Sequence, residues 1–258
     1  MNTVTSKDGT FIAYERSGSG PAVVLVGGAF CDRSFAAPLA ALLQEDFTVF
    51  SYDRRGRGDS GDTAPYAVAR EIEDLQAVID AAGGSAYAFG VSSGGILAFE
   101  AAAQGASITK LAIVEPPYNA DESRPPIPNL AKEYTQLCAE GRRGDAVALF
   151  MTKAVGQPPE EAEQARQTPM WPWLEGMAHT LAYDAEVVGD AQVPTERAAT
   201  TTVPTLLLES TGSPKWLRSA AQAMAQSLPN AEHQSLPGQF HQPDPEPMAA
   251  SLKLFYLR

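Results

Sequence analysis

Two rhythms of hydrophobic and polar positions alternate along this chain. Residues 22–26 form an unbroken apolar run stopped by Gly27-Gly28, which suits a strand buried on both faces. Residues 47–52, 86–89, 111–114, 205–208 and 231–235 read as further strands. Between them the spacing becomes helical. Residues 66–82 put Ile72, Leu75, Val78 and Ile79 on one face and stop at Gly83-Gly84, and residues 35–43, 95–104, 216–226 and 248–257 read the same way. Strands alternating with helices predict an α/β fold, a mostly parallel doubly wound sheet with helices on both faces. Residues 11–16, after the turn signal Asp8-Gly9, add an early hairpin strand and thus an antiparallel edge.

The rhythm breaks after Pro117. The stretch opens with Pro125, Pro126 and Pro128 and continues as helical segments at 130–140, 144–154, 160–167 and 171–188, with no convincing strand before about residue 202. The chain therefore divides into a core of residues 1–118 and 200–258 and a helical insertion of residues 119–199. With 258 residues, 44% of them hydrophobic, it can bury a full-sized core.

The formal net charge of −12 leaves no basic footprint for nucleic acid. Arg54, Arg55 and Arg57 form the densest basic cluster, read here as a loop paired with nearby carboxylates such as Asp53 and Asp59. Cys31 and Cys138 stand in no metal or redox spacing and are expected to be free thiols in a reducing compartment. Residues 1–9 are polar, and no apolar run approaches the length of a membrane span. These features predict a soluble, cytoplasmic protein with no membrane or nucleic-acid partner. No motif calls for a metal or an organic cofactor. Oligomeric state leaves no trace in the sequence.

Chemistry enters at Gly90-Val91-Ser92-Ser93-Gly94, which directly follows a strand pattern and directly precedes a helical one. A serine between two glycines can sit on a sharp strand-to-helix turn with its hydroxyl held above the sheet. Side chains at the glycine positions would collide with the neighbouring strand or helix. The helix N-terminus beneath the serine favours negative charge there. A serine hydroxyl is a weak nucleophile and needs a base, which an acid must orient. The chain has three histidines. His233 lies within a predicted strand, where a structural role is expected; His179 lies in the insertion; His241 follows the last strand in a Pro-Gly loop.

With the serine turn, Gly27-Gly28 after the third strand, the segment Tyr52-Asp53-Arg54-Arg55-Gly56-Arg57-Gly58-Asp59-Ser60 after the fourth and the late histidine, the chain resembles the α/β-hydrolase family over nearly its full length. The resemblance implies a serine hydrolase with a helical cap inserted after the sixth strand. It makes Ser92 the nucleophile and His241 the base. The usual aspartate slot after the seventh strand holds Gly212 and Ser213, neither of which can be an anion. Some members carry the acid after the sixth strand, where Glu115 stands, and strand tips about 5 Å apart would let either position reach the histidine. Glu115 is therefore the expected acid and Glu209 the alternative. The layout is similar to that of zearalenone-lactonase-type hydrolases. The family register puts the oxyanion hole at the amides of Ala29 and Ser93.

The insertion supplies an aromatic and soft apolar wall for the pocket: Trp171 and Trp173, with His179 and Tyr183, and Phe30 on its flank. Such a wall suits an uncharged, hydrophobic substrate. The expected reaction is hydrolysis of a carboxylic ester or lactone through an acyl-serine intermediate. Carbon–carbon bond hydrolysis and acyl transfer use the same triad. A non-catalytic or weakly catalytic small-molecule binding protein on the same scaffold is the reading from a different class, kept open by the missing aspartate.

Overall fold

In the computed structural model, which describes residues 1–122 and 125–258, the apolar runs lie side by side. Strands β1 (Asn2–Thr5), β2 (Phe11–Gly18), β3 (Ala22–Val26), β4 (Thr48–Tyr52), β5 (Ala86–Val91), β6 (Ile108–Val114), β7 (Thr205–Ser210) and β8 (Ala231–Leu236) form one sheet in the order β1-β2-β4-β3-β5-β6-β7-β8. Pairing is parallel from β4 through β8 and antiparallel at the β1–β2 and β2–β4 edge. The chain goes from β3 to β4 on one side and then returns to place β5 on the other. That reversal opens a crevice above the carboxyl ends of β3 and β5, the place where sheets of this type take ligands.

The two-residue period of a strand divides the core. Val24 and Val26 join Leu75, Val78 and Ile79 of α2 (Val68–Ala81) and Leu97 and Phe99 of α3 (Ser93–Ala103) on one face. Val23 and Leu25 point the other way, to Leu39 and Leu43 of α1 (Ala37–Leu43) and Leu252 and Phe255 of the last helix, Pro245–Leu257. Each such aliphatic side chain, taken fully out of water, stabilises the fold by about 1.5–3 kcal/mol. The sheet is fixed by dozens of them, and its register cannot slip by one residue without exchanging the two faces.

Between β6 and β7 the described residues form α4 (Ala131–Ala139), α5 (Arg143–Leu149), α6 (Pro159–Ala165), α7 (Trp171–Met177), α8 (Leu181–Val188) and α9 (Thr195–Thr200). They have an apolar cluster of their own, with Leu130, Tyr134, Val147, Trp171 and Leu181 at its centre. Two expected helices differ from their sequence reading. The 144–154 segment leaves the α-form after Leu149 and runs as a π-helical turn over Phe150–Val155, with Thr152 Oγ1 donating to the Ala148 and Leu149 carbonyls. The 171–188 segment is broken at Ala178–Thr180 by a 3₁₀ turn, within which Thr180 Oγ1 donates to the Met177 carbonyl (2.8 Å). Such a turn preserves the apolar spacing on either side, so periodicity does not reveal it. Helix α10 (Lys215–Ser227) follows β7, and a small ribbon of β9 (Gly238–Gln239) and β10 (Gln242–Pro243) precedes α11, the last helix. Among the described residues no helix is long and apolar enough to cross a membrane.

Candidate active site

Ser92 stands between the end of β5 and the first turn of α3, with φ 57° and ψ −129°. Backbone crowding explains the glycines around it. A Cβ on Gly90 would lie 2.6 Å from the Gly94 carbonyl oxygen, one on Gly94 2.4 Å from those of Gly27 and Val26, and one on Gly28 2.9 Å from Ser92 Cβ. Strand, turn and the loop after β3 thus touch backbone to backbone. Gly94→Ala is expected to cost the overpacking penalty of about 1–3 kcal/mol, a fall of roughly 3–10 °C in the thermal midpoint by calorimetry.

Five non-glycine residues among those described have positive φ: Phe30, Ser92, Glu115, Ala191 and His241. Four of these lie at or beside this crevice. Each such conformation costs of order 1–3 kcal/mol and persists only where its surroundings enforce it.

His241 occupies the two-residue turn between β9 and β10, where its amide donates to Ser213 Oγ (2.8 Å). The position that cannot supply a carboxylate therefore anchors the histidine backbone. Gly212 makes room for this: a Cβ there would lie 2.4 Å from the Gly238 carbonyl oxygen. The His241 ring reaches Glu115, with Nδ1 2.7 Å from Oε2. Glu115 is fully buried beyond the tip of β6, and its Oε1 accepts the Ser210 amide (2.7 Å). A carboxylate can only accept, so this bond puts the ring proton on Nδ1 and leaves Nε2 as an acceptor. Glu209 is engaged elsewhere: its Oε2 lies 3.0 Å from His233 Nε2, and its Oε1 accepts from Ser235 Oγ (2.6 Å). Glu209 and His233 are thus cross-strand neighbours on β7 and β8. Ser92 and His241 line the same cavity, and among the described residues no hydrogen bond joins Ser92 Oγ to the ring.

Ala29 and Ser93 also line the cavity. The Ser93 amide opens a helix and has no carbonyl behind it. Among the described residues the Ala29 amide has no acceptor either.

Beneath these amides lies a buried charge network. Arg54 donates to both carboxylate oxygens of Glu71 (2.6 and 2.7 Å), to Asp184 Oδ1 (2.9 Å) and to the Gly27 carbonyl (3.2 Å). Arg57 donates to the Gly28 carbonyl and to Asp184 Oδ2 (2.8 Å). Arg55 forks onto Asp74 (2.7 Å to each oxygen) and also reaches Asp8 (3.0 Å). The expected carboxylate pairing is present, but with other partners: Asp53 and Asp59 both pair with Arg33. The three arginines lie inside the protein, and no local sequence signal links position 54 or 57 to position 184. Burial works against ionised Asp184, yet the neighbouring Arg57 and Arg54 charges prevail and hold its carboxyl below the ordinary carboxylate value.

The cavity holds about 440 Å³, the size of a small-molecule site. Its walls come from Phe35 and Leu39 on the α1 side, Phe89 and Val114 from the strand ends, and Tyr134, Phe150, Leu181 and Asp184 from the insertion. The five residues expected to form the wall stand elsewhere. Trp171 is buried within the insertion's own cluster, with the Arg166 guanidinium 5.0 Å from its ring centre, while Trp173 is 41% exposed. Tyr183 turns outward to stack on Tyr66 and donate to Asp62 (2.9 Å), with His179 beside the same carboxylate. Phe30 packs edge-on against Phe150 (5.3 Å between ring centres), one layer behind the wall. Aromatic content located the insertion's packing, and the direction of each side chain decided which residues meet the cavity.

Comparison with known proteins adds four findings. A family model described as the alpha/beta hydrolase family matches residues 23–251. The crystal structure of an alpha/beta hydrolase from Sphaerobacter thermophilus DSM 20745 is 55% identical, with a TM-score of 0.93, covering 99% of this chain and all of the other. An enol-lactonase from Burkholderia xenovorans LB400 shares the fold at 22% identity, with a TM-score of 0.74 over the whole of both chains. Among curated relatives, the putative carbamate hydrolase RutD of Escherichia coli O9:H4 (strain HS) is 37% identical over 70 residues; the match spans about a quarter of each chain, 26% of both.

Proposed function

This chain belongs to the alpha/beta hydrolase family, and we propose that it is a serine hydrolase cleaving a carboxylic ester or lactone of a small, uncharged, hydrophobic substrate. Ser92 Oγ attacks the carbonyl carbon as His241 Nε2 takes its proton, and Glu115 holds the resulting imidazolium. The amides of Ala29 and Ser93 receive the negative oxygen of the tetrahedral intermediate. The intermediate collapses as the carbon–oxygen bond to the leaving group breaks and the Nε2 proton passes to the departing alkoxide. Water then attacks the acyl-serine, again losing its proton to Nε2, and that proton returns to Ser92 as the acid is released. The observation that carries this reading is the bond between His241 Nδ1 and Glu115 beside a cavity that Ser92 shares.

The walls support the substrate class. The cavity's carboxylate, Asp184, is paired to two arginines, and most of the remaining lining is apolar. The enol-lactonase among the structural neighbours supports the ester or lactone bond by fold alone. The two cysteines are free thiols, in keeping with a cytoplasmic setting.

The test is covalent labelling by a fluorophosphonate, mapped by peptide mass spectrometry, beside a series of p-nitrophenyl esters and simple lactones. One adduct on Ser92 is expected, with turnover rising from acetate toward longer acyl chains and esters bearing a carboxylate at least about tenfold poorer. An unlabelled, inactive protein would overturn the reading in favour of small-molecule binding. Labelling without turnover of any ester or lactone would move it to carbon–carbon hydrolysis or acyl transfer.

A further inference from the structure

Asp184 lies in α8 of the insertion, yet its carboxylate sits in the core beneath the loop after β3 and the first turn of α3. Oδ2 accepts from Arg57, and that arginine also donates to the Gly28 carbonyl. The Gly28 carbonyl and the Ala29 amide belong to one peptide plane. In a trans peptide the C=O and N–H point in opposite directions, so a cation fixing the oxygen fixes where the Ala29 N–H points. A cation at the carbonyl also polarises the peptide and strengthens its N–H as a donor. Oδ1 accepts from Ser93 Oγ (2.7 Å) and from Arg54, which holds the preceding peptide through the Gly27 carbonyl. One carboxylate from the insertion therefore braces both residues whose amides are proposed to hold the oxyanion.

We propose that Asp184 is a positioning residue that sets the oxyanion-binding geometry through Arg57 and Ser93, so that docking of the inserted helices is required for the chemical step as well as for substrate shape. This rests on the serine-hydrolase reading above. Asp184 reaches the cavity wall, but both of its oxygens are engaged by Arg54, Arg57 and Ser93, so it acts through them. Its influence falls on charge that develops only in the transition state, so its loss is expressed in kcat more than in KM.

The experiment compares wild type with Asp184→Asn, which keeps the shape and removes the charge. For the best p-nitrophenyl ester, kcat is expected to fall about 10²-fold with KM changed less than about threefold. Affinity for a trifluoromethyl ketone, which forms an oxyanion on Ser92, should fall in proportion to kcat/KM. Affinity for the matching unreactive alkyl amide, a ground-state ligand, should stay within about threefold. Equal weakening of both ligands would overturn the proposal and leave Asp184 a packing residue. If Asp184→Asn does not fold, Ser93→Ala decides, because it cuts one arm of the brace while keeping the backbone amide. A loss of about three- to tenfold in kcat alone is then expected, and an unchanged kcat overturns the proposal. A wild type that neither turns over esters nor accepts the fluorophosphonate would sink the hydrolase reading itself, a result distinct from either failure of Asp184.

Discussion

Glu115→Gln is expected to lower kcat/KM for ester hydrolysis about 10³–10⁴-fold while Glu209→Gln stays within about threefold of wild type. The size of the effect follows from a proton count. Glu115 receives two donors, the Ser210 amide on Oε1 and His241 Nδ1 on Oε2. A glutamine has one oxygen, and the Ser210 N–H cannot turn away from it. The amide oxygen therefore stays on Ser210 and the NH₂ faces the ring. Nδ1 must then accept, which moves the ring proton to Nε2, the atom that has to take the proton of Ser92. The variant would fold with its geometry nearly intact and its histidine in the wrong tautomer. Glu209 has its bonds on His233 and Ser235, within the sheet. Steady-state kinetics on the two variants decide between them. Loss of activity in Glu209→Gln with Glu115→Gln active would reverse the assignment of the acid.

The contrast between these two glutamates shows what a sequence can and cannot carry. Both stand at strand ends that periodicity located, and both are a short reach from a histidine. The strand spacing admits either one. The choice is made by what each carboxylate meets: Glu209, opposite Ser235 in the β7–β8 register, is taken up by Ser235 and His233, while Glu115, just beyond β6 with positive φ, meets the Ser210 amide and His241. The serine turn was legible because steric demand writes glycines into it at fixed offsets. The insertion was legible as helices because their spacing survives local 3₁₀ and π turns. Its cavity wall was not, since an aromatic residue packs equally well inward or outward in a helical cluster. The least legible feature was the bond of Arg57 to Asp184 across 127 positions, where nothing local to either residue names its partner. Strand β1 escaped for another reason. As a mostly exposed edge, Asn2–Thr5 shows no apolar run; it is held by backbone pairing to β2 and by Val4, which packs against the core.

The same buried network sets the largest expected change in stability. Arg54→Met is expected to destabilise the fold by about 3–5 kcal/mol at pH 7, because it leaves Glu71 buried without its cation and removes one of the two charges on Asp184. The dependence on pH separates this cause from simple loss of packing. Burial by itself would push the Glu71 carboxyl up, but the adjacent Arg54 charge prevails and holds it below its ordinary value of 4.5. In wild type the unfolded chain therefore binds more protons between the folded and unfolded pKa values. This contribution is full above the unfolded value and is lost as pH falls through the folded one. Without Arg54 burial is opposed only by the Arg57 charge and the Tyr66 hydroxyl, so the folded pKa of Glu71 rises and the stability this group contributes above its unfolded pKa shrinks. The gap between variant and wild type should consequently be smallest near pH 4 and widen toward pH 7. Urea unfolding at pH 4, 5.5 and 7 measures it. A gap that stays constant with pH would mean that Arg54 acts through its aliphatic stem and its contact with the Gly27 carbonyl, with the ion pair to Glu71 contributing little.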